Sequence, residues 1–156
     1  ASLPQGAPEL ARLDIMIALG RNDAASAVQL GAAAIKRWPE QRALGMAYAM
    51  ALQNSGRDAD AQAYLRERVK QWGEDQPDLY QMLAKSEDAT GHPIDARRDM
   101  AQFYVLTDAY AAAESQLQQA RRMSADFYEQ SQFDAQIRDV RQKLKDERDM
   151  LEKFKS

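Results

Sequence analysis

The sequence predicts an all-α chain, a solenoid of helical repeats with about eight helices and a long C-terminal capping helix. Turn glycines fall at Gly20, Gly56 and Gly91, spacings of 36 and 35 residues, and each stands between two amphipathic stretches. That period suits helix-turn-helix repeats of about 34 residues. With 7 glycines and 5 prolines in 156 residues, the chain lacks the turn-formers an all-β fold needs. At 45% hydrophobic it carries enough apolar side chain for one compact globular or solenoidal unit.

The elements follow in order. A proline-bearing tail over 1–7 leads into a first helix at 8–19, which runs up to Gly20. In the second, 24–37, and just beyond it, Ala27, Gly31, Ala34 and Pro39 keep the small-residue spacing. In this first unit Gly20 lies two residues early relative to the later turns, so the unit reads as degenerate. A third helix at 40–54 leads to Gly56. The fourth, 58–72, carries Ala61 five residues after that glycine and Leu65 four further on. Small residues at fixed offsets let two helices approach closely, and larger ones fill the gap between pairs.

A fifth helix, 77–89, opens near Pro77 and carries Tyr80, Leu83 and Ala84. The sixth, 93–106, opens at Pro93 and repeats the offsets with Ala96 and Met100, followed by Phe103. Its later residues Met100, Ala101 and Tyr104 also serve as the first helix of a further unit. Ala113, Leu117 and Ala120 of a seventh helix, 110–122, form the second. Asp108 stands at the turn between them, and Asp tolerates turn geometry. The eighth helix, 125–154, is capped by Ser124 or Asp126 and breaks the repeat. Phe133, Ile137, Val140, Leu144, Leu151 and Phe154 follow a three-and-four spacing interrupted near Glu147 and Arg148. Asp134/Arg138 and Asp139/Lys143 sit four apart on the wet side. The region 124–156 is thus expected to cap repeats spanning 8–123, and beyond Leu144 the stripe exceeds what the last repeat can cover.

Composition excludes much chemistry. No cysteine is present, which removes disulfides, thiolate metal sites and cysteine nucleophiles, and the single histidine, His92, cannot form a two-histidine metal site. His92 lies between Gly91 and Pro93 and reads as a turn residue. The 24 acidic and 21 basic side chains are interspersed, leaving no basic stripe for nucleic acid. No apolar run is long enough for membrane insertion. The neighbouring carboxylates Glu74/Asp75, Glu87/Asp88 and Asp146/Glu147 read as solvated surface charge rather than an acid–base pair. Starting at Ala1 without Met, the chain is expected to be processed or cut from a longer protein.

The repeat spacing resembles that of tetratricopeptide (TPR) repeats. In such arrays the first helix of each pair lines the concave face. The corresponding positions here are Met46, Met50, Gln53 and Asn54, then Gln81, Lys85 and Asp88, then Arg98 and Gln102. Methionine suits an adaptable surface, and polar neighbours suit an extended backbone. Met46 and Met50 equally suit packing between helices. The Lys/Asn/Lys/Arg clamp that some TPR proteins use on a terminal carboxylate is not reproduced.

A closer resemblance covers roughly Pro77 to Leu144. It rests on Leu79-Tyr80-Gln81-Met82-Leu83-Ala84, Ala101-Gln102-Phe103-Tyr104, Gln116-Leu117-Gln118-Gln119-Ala120-Arg121 and above all Phe127-Tyr128-Glu129-Gln130-Ser131-Gln132-Phe133-Asp134-Ala135-Gln136-Ile137. These runs resemble the C-terminal TPR half of periplasmic zinc metallopeptidases of the β-barrel assembly-enhancing protease (BepA) family. The resemblance implies a periplasmic, non-catalytic interaction module. Zinc and its HExxH motif would belong to a catalytic half absent from this chain, which itself would hold no cofactor. Implied partners are outer-membrane barrels, their assembly machinery and the attached protease domain. The alternative expectation is a free-standing TPR scaffold or adaptor whose C-terminal helix mediates oligomerisation.

Overall fold

A computed structural model describes residues 6–155 and, among them, eight helices and no strand. These are α1 Pro8–Gly20, α2 Ala24–Arg37, α3 Arg42–Asn54, α4 Asp58–Trp72, α5 Asp78–Ala89, α6 Pro93–Leu106, α7 Tyr110–Met123 and α8 Phe127–Lys155. No end departs from its expected position by more than two residues. The larger shifts have local causes. Before α3, Gln41 takes an extended conformation (φ −82°, ψ 103°), delaying the start to Arg42. Before α8, Asp126 sits outside the helix and its Oδ1 accepts from the Tyr128 amide at 3.0 Å. Residues 1–5 of the expected tail, and Ser156, lie outside the described residues. No helix among the described residues is long and apolar enough to cross a membrane.

The dominant local device is one turn used four times. Asn22 (φ 59°), Gly56 (φ 75°), Gly91 (φ 80°) and Asp108 (φ 60°) all take the left-handed backbone conformation. After α3, the amides of Ser55, Gly56 and Arg57 donate to the carbonyls of Ala51, Gln53 and Leu52 at 3.0, 3.1 and 2.8 Å. The same offsets recur at the other three turns. There the closing bonds, Asp23 to Ala18, His92 to Glu87 and Ala109 to Tyr104, measure 2.9, 2.8 and 2.8 Å. This is the Schellman motif, which satisfies helix-end carbonyls through a residue at positive φ.

The recurrence corrects the expected register in the first unit. Gly20 is the last residue of α1 and lacks a positive φ, and Asn22 makes the turn. Asparagine tolerates the left-handed region because its short polar side chain bonds locally. Measured from the true turn residues the spacings become 34, 35 and 17. Five residues after each turn stand Ala27, Ala61, Ala96 and Ala113, every one fully buried. The first unit is therefore regular, and α6 lies between two hairpins of the same kind.

The chain divides into two compact units, one through Trp72 and one from Gly73, a boundary inside the span 8–123. In the first, α1 packs on α2 and α3, α2 on α3, and α3 on α4. Its core is built from Ile15, Ala27, Leu44, Ala49, Leu52, Ala61 and Leu65, all buried. At Gly31 of α2 an added Cβ would lie 2.7 Å from the Tyr48 ring of α3. Tyr48 in turn meets Tyr64 of α4 edge-to-face with centroids 5.1 Å apart. Arg68 lies over both Tyr64 and Trp72, 5.3 and 5.4 Å from their centroids. Burial is the main cause that raises the Tyr64 phenol above its ordinary pKa.

In the second unit α5 packs on α6, α6 on α7 and α7 on α8. Phe133 is fully buried in a core with Ala101, Ala113, Leu117, Ala120, Ile137 and Val140. Ion pairs tie the rim of α8 to α7, Arg121 to Asp134 at 2.6 Å and Arg141 to Glu114 at 2.7 Å. Partly exposed pairs of this kind contribute about 0–1 kcal/mol each, so apolar burial carries the docking of α8.

Substitution at the glycines separates the two turn registers. Gly20→Ala should stabilise the protein by roughly 0.5–1 kcal/mol, since it places a better helix former where no atom is crowded. Gly56→Ala should destabilise it by about 1–2 kcal/mol, the cost of a Cβ in the left-handed conformation. Urea unfolding of the two variants checks this. Destabilisation by Gly20→Ala would return the turn to Gly20.

Candidate functional site

In the second unit a groove of about 370 Å³ opens between α6 and α8, with Tyr80 of α5 at its margin. Helical spacing builds both walls. Arg98, Gln102 and Val105 lie on α6 at steps of four and three, and Gln136, Val140 and Lys143 on α8 at the same steps. Ala101, Val105, Leu117 and Val140 supply apolar surface, and Asp99 and Asp139 complete the polar lining.

Arg98 is held in place. Its Nη1 donates to Asp95 Oδ1 at 2.7 Å and its Nη2 to Glu129 Oε2 at 3.0 Å, with the guanidinium 5.0 Å from the Phe133 ring centroid. At the other end Lys143 Nζ lies 5.5 Å from the Tyr110 ring centroid. The groove thus carries two cations, Arg98 and Lys143, and two carboxylates, Asp99 and Asp139. A balanced lining does not favour an anion or a bare cation. Gln102 and Gln136 each present a donor and an acceptor, the pairing that a peptide backbone requires.

The expected site residues fall into separate patches. On α3 Met46 and Gln53 are half-buried, and Met50 and Asn54 are exposed. On α5 Gln81, Lys85 and Asp88 form an exposed stripe that does not line the groove. Arg98 and Gln102 of α6 do line it. Within the α5–α6 hairpin, however, α6 is the second helix; it is the first only in the following hairpin with α7. Sequence reasoning missed the opposite wall, Gln136, Asp139 and Lys143. Their signal is their place beside the Phe133–Ile137–Val140 stripe, whose spacing by itself indicates only a cap on the core.

Among the adjacent carboxylates expected on the surface, Glu87 is the exception. Asp88 is exposed, but its neighbour Glu87 is only 1% exposed and is not a solvated surface charge. Glu87 stands four residues before the Gly91 turn, the position held by Leu52 before Gly56, and this register turns it inward. His92 is exposed; its amide closes the α5 turn, and its Nδ1 lies 2.9 Å from Thr90 Oγ1.

Glu129 links the groove to acid stability. A hydrogen bond from Ser124, and secondarily the Arg98 guanidinium, hold its carboxyl below the ordinary value of 4.5. A carboxyl depressed on folding stabilises the native state above its unfolded pKa, and that contribution is lost as pH falls through the folded value. Glu129→Gln should therefore lower the melting temperature at neutral pH and flatten its decline on acidification. An equally steep acid decline in the variant would show that Glu129 contributes nothing to it.

No protein-family model matches the sequence, and no curated protein aligns with it significantly.

Proposed function

We propose that this chain is a non-catalytic protein–protein interaction module that holds extended or unfolded protein segments, with the α6–α8 groove as its contact surface. The observation that carries the reading is that Gln102 of α6 and Gln136 of α8 line one groove beside apolar surface from Ala101, Val105, Leu117 and Val140. An adaptable apolar surface with a few polar groups suits ligands that vary in side chain and share a backbone.

The finer reading is a TPR-type solenoid from a periplasmic zinc metallopeptidase of the β-barrel assembly-enhancing protease family. Support comes from the residue runs between Pro77 and Leu144 and from a turn spacing of 34 and 35 residues. In this reading the partners are outer-membrane barrels, their assembly machinery and the protease domain. Zinc chemistry belongs to that domain, and this chain supplies recognition.

The test is a Gln102→Ala/Gln136→Ala variant, checked for unchanged helicity and melting temperature, then titrated with a fluorescently labelled unfolded outer-membrane barrel protein. Micromolar-class binding by the parent chain should weaken by about tenfold, as expected when two backbone hydrogen bonds are lost. Undiminished binding in this variant, with loss on Met46→Glu/Met50→Glu, would move the site to α3. Undiminished binding in both would reject the two surfaces together.

A further inference from the structure

The last turns of α8 outlast the helix that covers them. Near its start α7 meets α8 twice: Glu114 accepts from Arg141 Nε at 2.7 Å, and Tyr110 lies under Lys143. The helix α8 then continues to Lys155, whereas α7 begins at Tyr110. From Phe133 onward the positions 133, 137, 140, 144, 147, 151 and 154 alternate in steps of four and three, the spacing of a coiled-coil seam. Its first part is buried core and Leu144 packs at the core's edge. Farther on Met150, Leu151 and Phe154 are 61%, 58% and 83% exposed. Glu147 occupies the one charged position of the seam.

Charge along the edges indicates what covers this stripe. Arg141, Arg148 and Lys155 stand seven residues apart in one row beside the seam. The other edge carries Lys143 and Met150, while the carboxylates Asp146, Asp149 and Glu152 lie away from the seam. A second copy fits poorly. Parallel pairing sets Lys143 against Arg148 of the other copy, and antiparallel pairing sets the basic row against itself. The structure already contains the complementary arrangement, because Arg141, first of the row, pairs with Glu114 of the neighbouring helix. Glu147 within the seam disfavours burial in a lipid surface.

We propose that the C-terminal turns of α8 are a docking surface for an amphipathic helix of another protein. That helix continues the line that α7 leaves at Tyr110. It lays an apolar seam on Leu151 and Phe154 and presents carboxylates to Arg148 and Lys155, as Glu114 does to Arg141. The contact residues Arg148, Leu151, Phe154 and Lys155 do not line the α6–α8 groove.

The full chain is titrated with fluorescent synthetic helices about three heptads long, with Leu along the seam and either Glu or Lys on both edges. The Glu-edged helix should bind at least about tenfold more tightly than the Lys-edged one, with a salt-dependent affinity. Arg148→Glu/Lys155→Glu should reverse that preference. Leu151→Glu/Phe154→Glu should abolish binding of both helices without changing the melting temperature, since neither side chain is in the core. Gln102→Ala/Gln136→Ala should leave helix binding unchanged. Equal affinity for the two helices, no binding of the Glu-edged helix, binding only to phosphatidylglycerol vesicles, or self-association through α8 in sedimentation equilibrium would each overturn the proposal.

Discussion

The constraint on which both units depend is a backbone one. Four residues must take a left-handed conformation so that the next amide can close each helix end, and this fixes where the following helix begins. Because the reversal is the same each time, the buried alanine always falls five residues later, at Ala27, Ala61, Ala96 and Ala113. A side chain with no rotamers and little bulk lets two helices meet there with little loss of side-chain entropy. The identity of the turn residue is secondary. Glycine serves twice, and asparagine and aspartate once each, because all three reach positive φ at low cost.

The groove follows from the same geometry. The turns at Gly91 and Asp108 place α6 between α5 and α7, and the burial of Phe133, Ile137 and Val140 seats α8 across the second unit. Once those apolar residues are buried, the positions beside them, Gln136, Asp139 and Lys143, stand opposite Arg98 and Gln102. Ion pairs at the margin then orient side chains whose placement packing has already decided. Arg98 shows this: it reaches both Asp95 on its own helix and Glu129 on α8 while its guanidinium lies over Phe133.

Much of this order was legible in the sequence, and the failures have physical reasons. Helix ends could be read because Pro77, Pro93, Gly56 and Gly91 each act locally. Gly20 misled because a glycine at the end of a helix resembles a turn glycine, and only the backbone distinguishes it from Asn22 two residues on. Carboxylates usually face water, but the distance of Glu87 from Gly91 puts it inside, which composition does not reveal. Arg98 and Gln102, expected on the concave face of a repeat array, line one wall of the α6–α8 groove. The other wall was hidden because α8 leaves the repeat, so no internal copy showed which of its polar residues would face α6. The division between Trp72 and Gly73 carries no shift in composition to reveal it.

If a shared turn organises both units, its closing amides must behave as part of the core although they lie in loops. Hydrogen exchange at Asp23, Arg57, His92 and Ala109 tests this most directly, since each amide donates to the carbonyl five residues back at 2.8–2.9 Å. All four should be protected to a similar degree as helix amides beside Ala27, Ala61, Ala96 and Ala113. Exchange of the Asp23 or Ala109 amide at the rate of an open loop, with Arg57 and His92 protected, would contradict the account, because the turn would then belong to glycine alone.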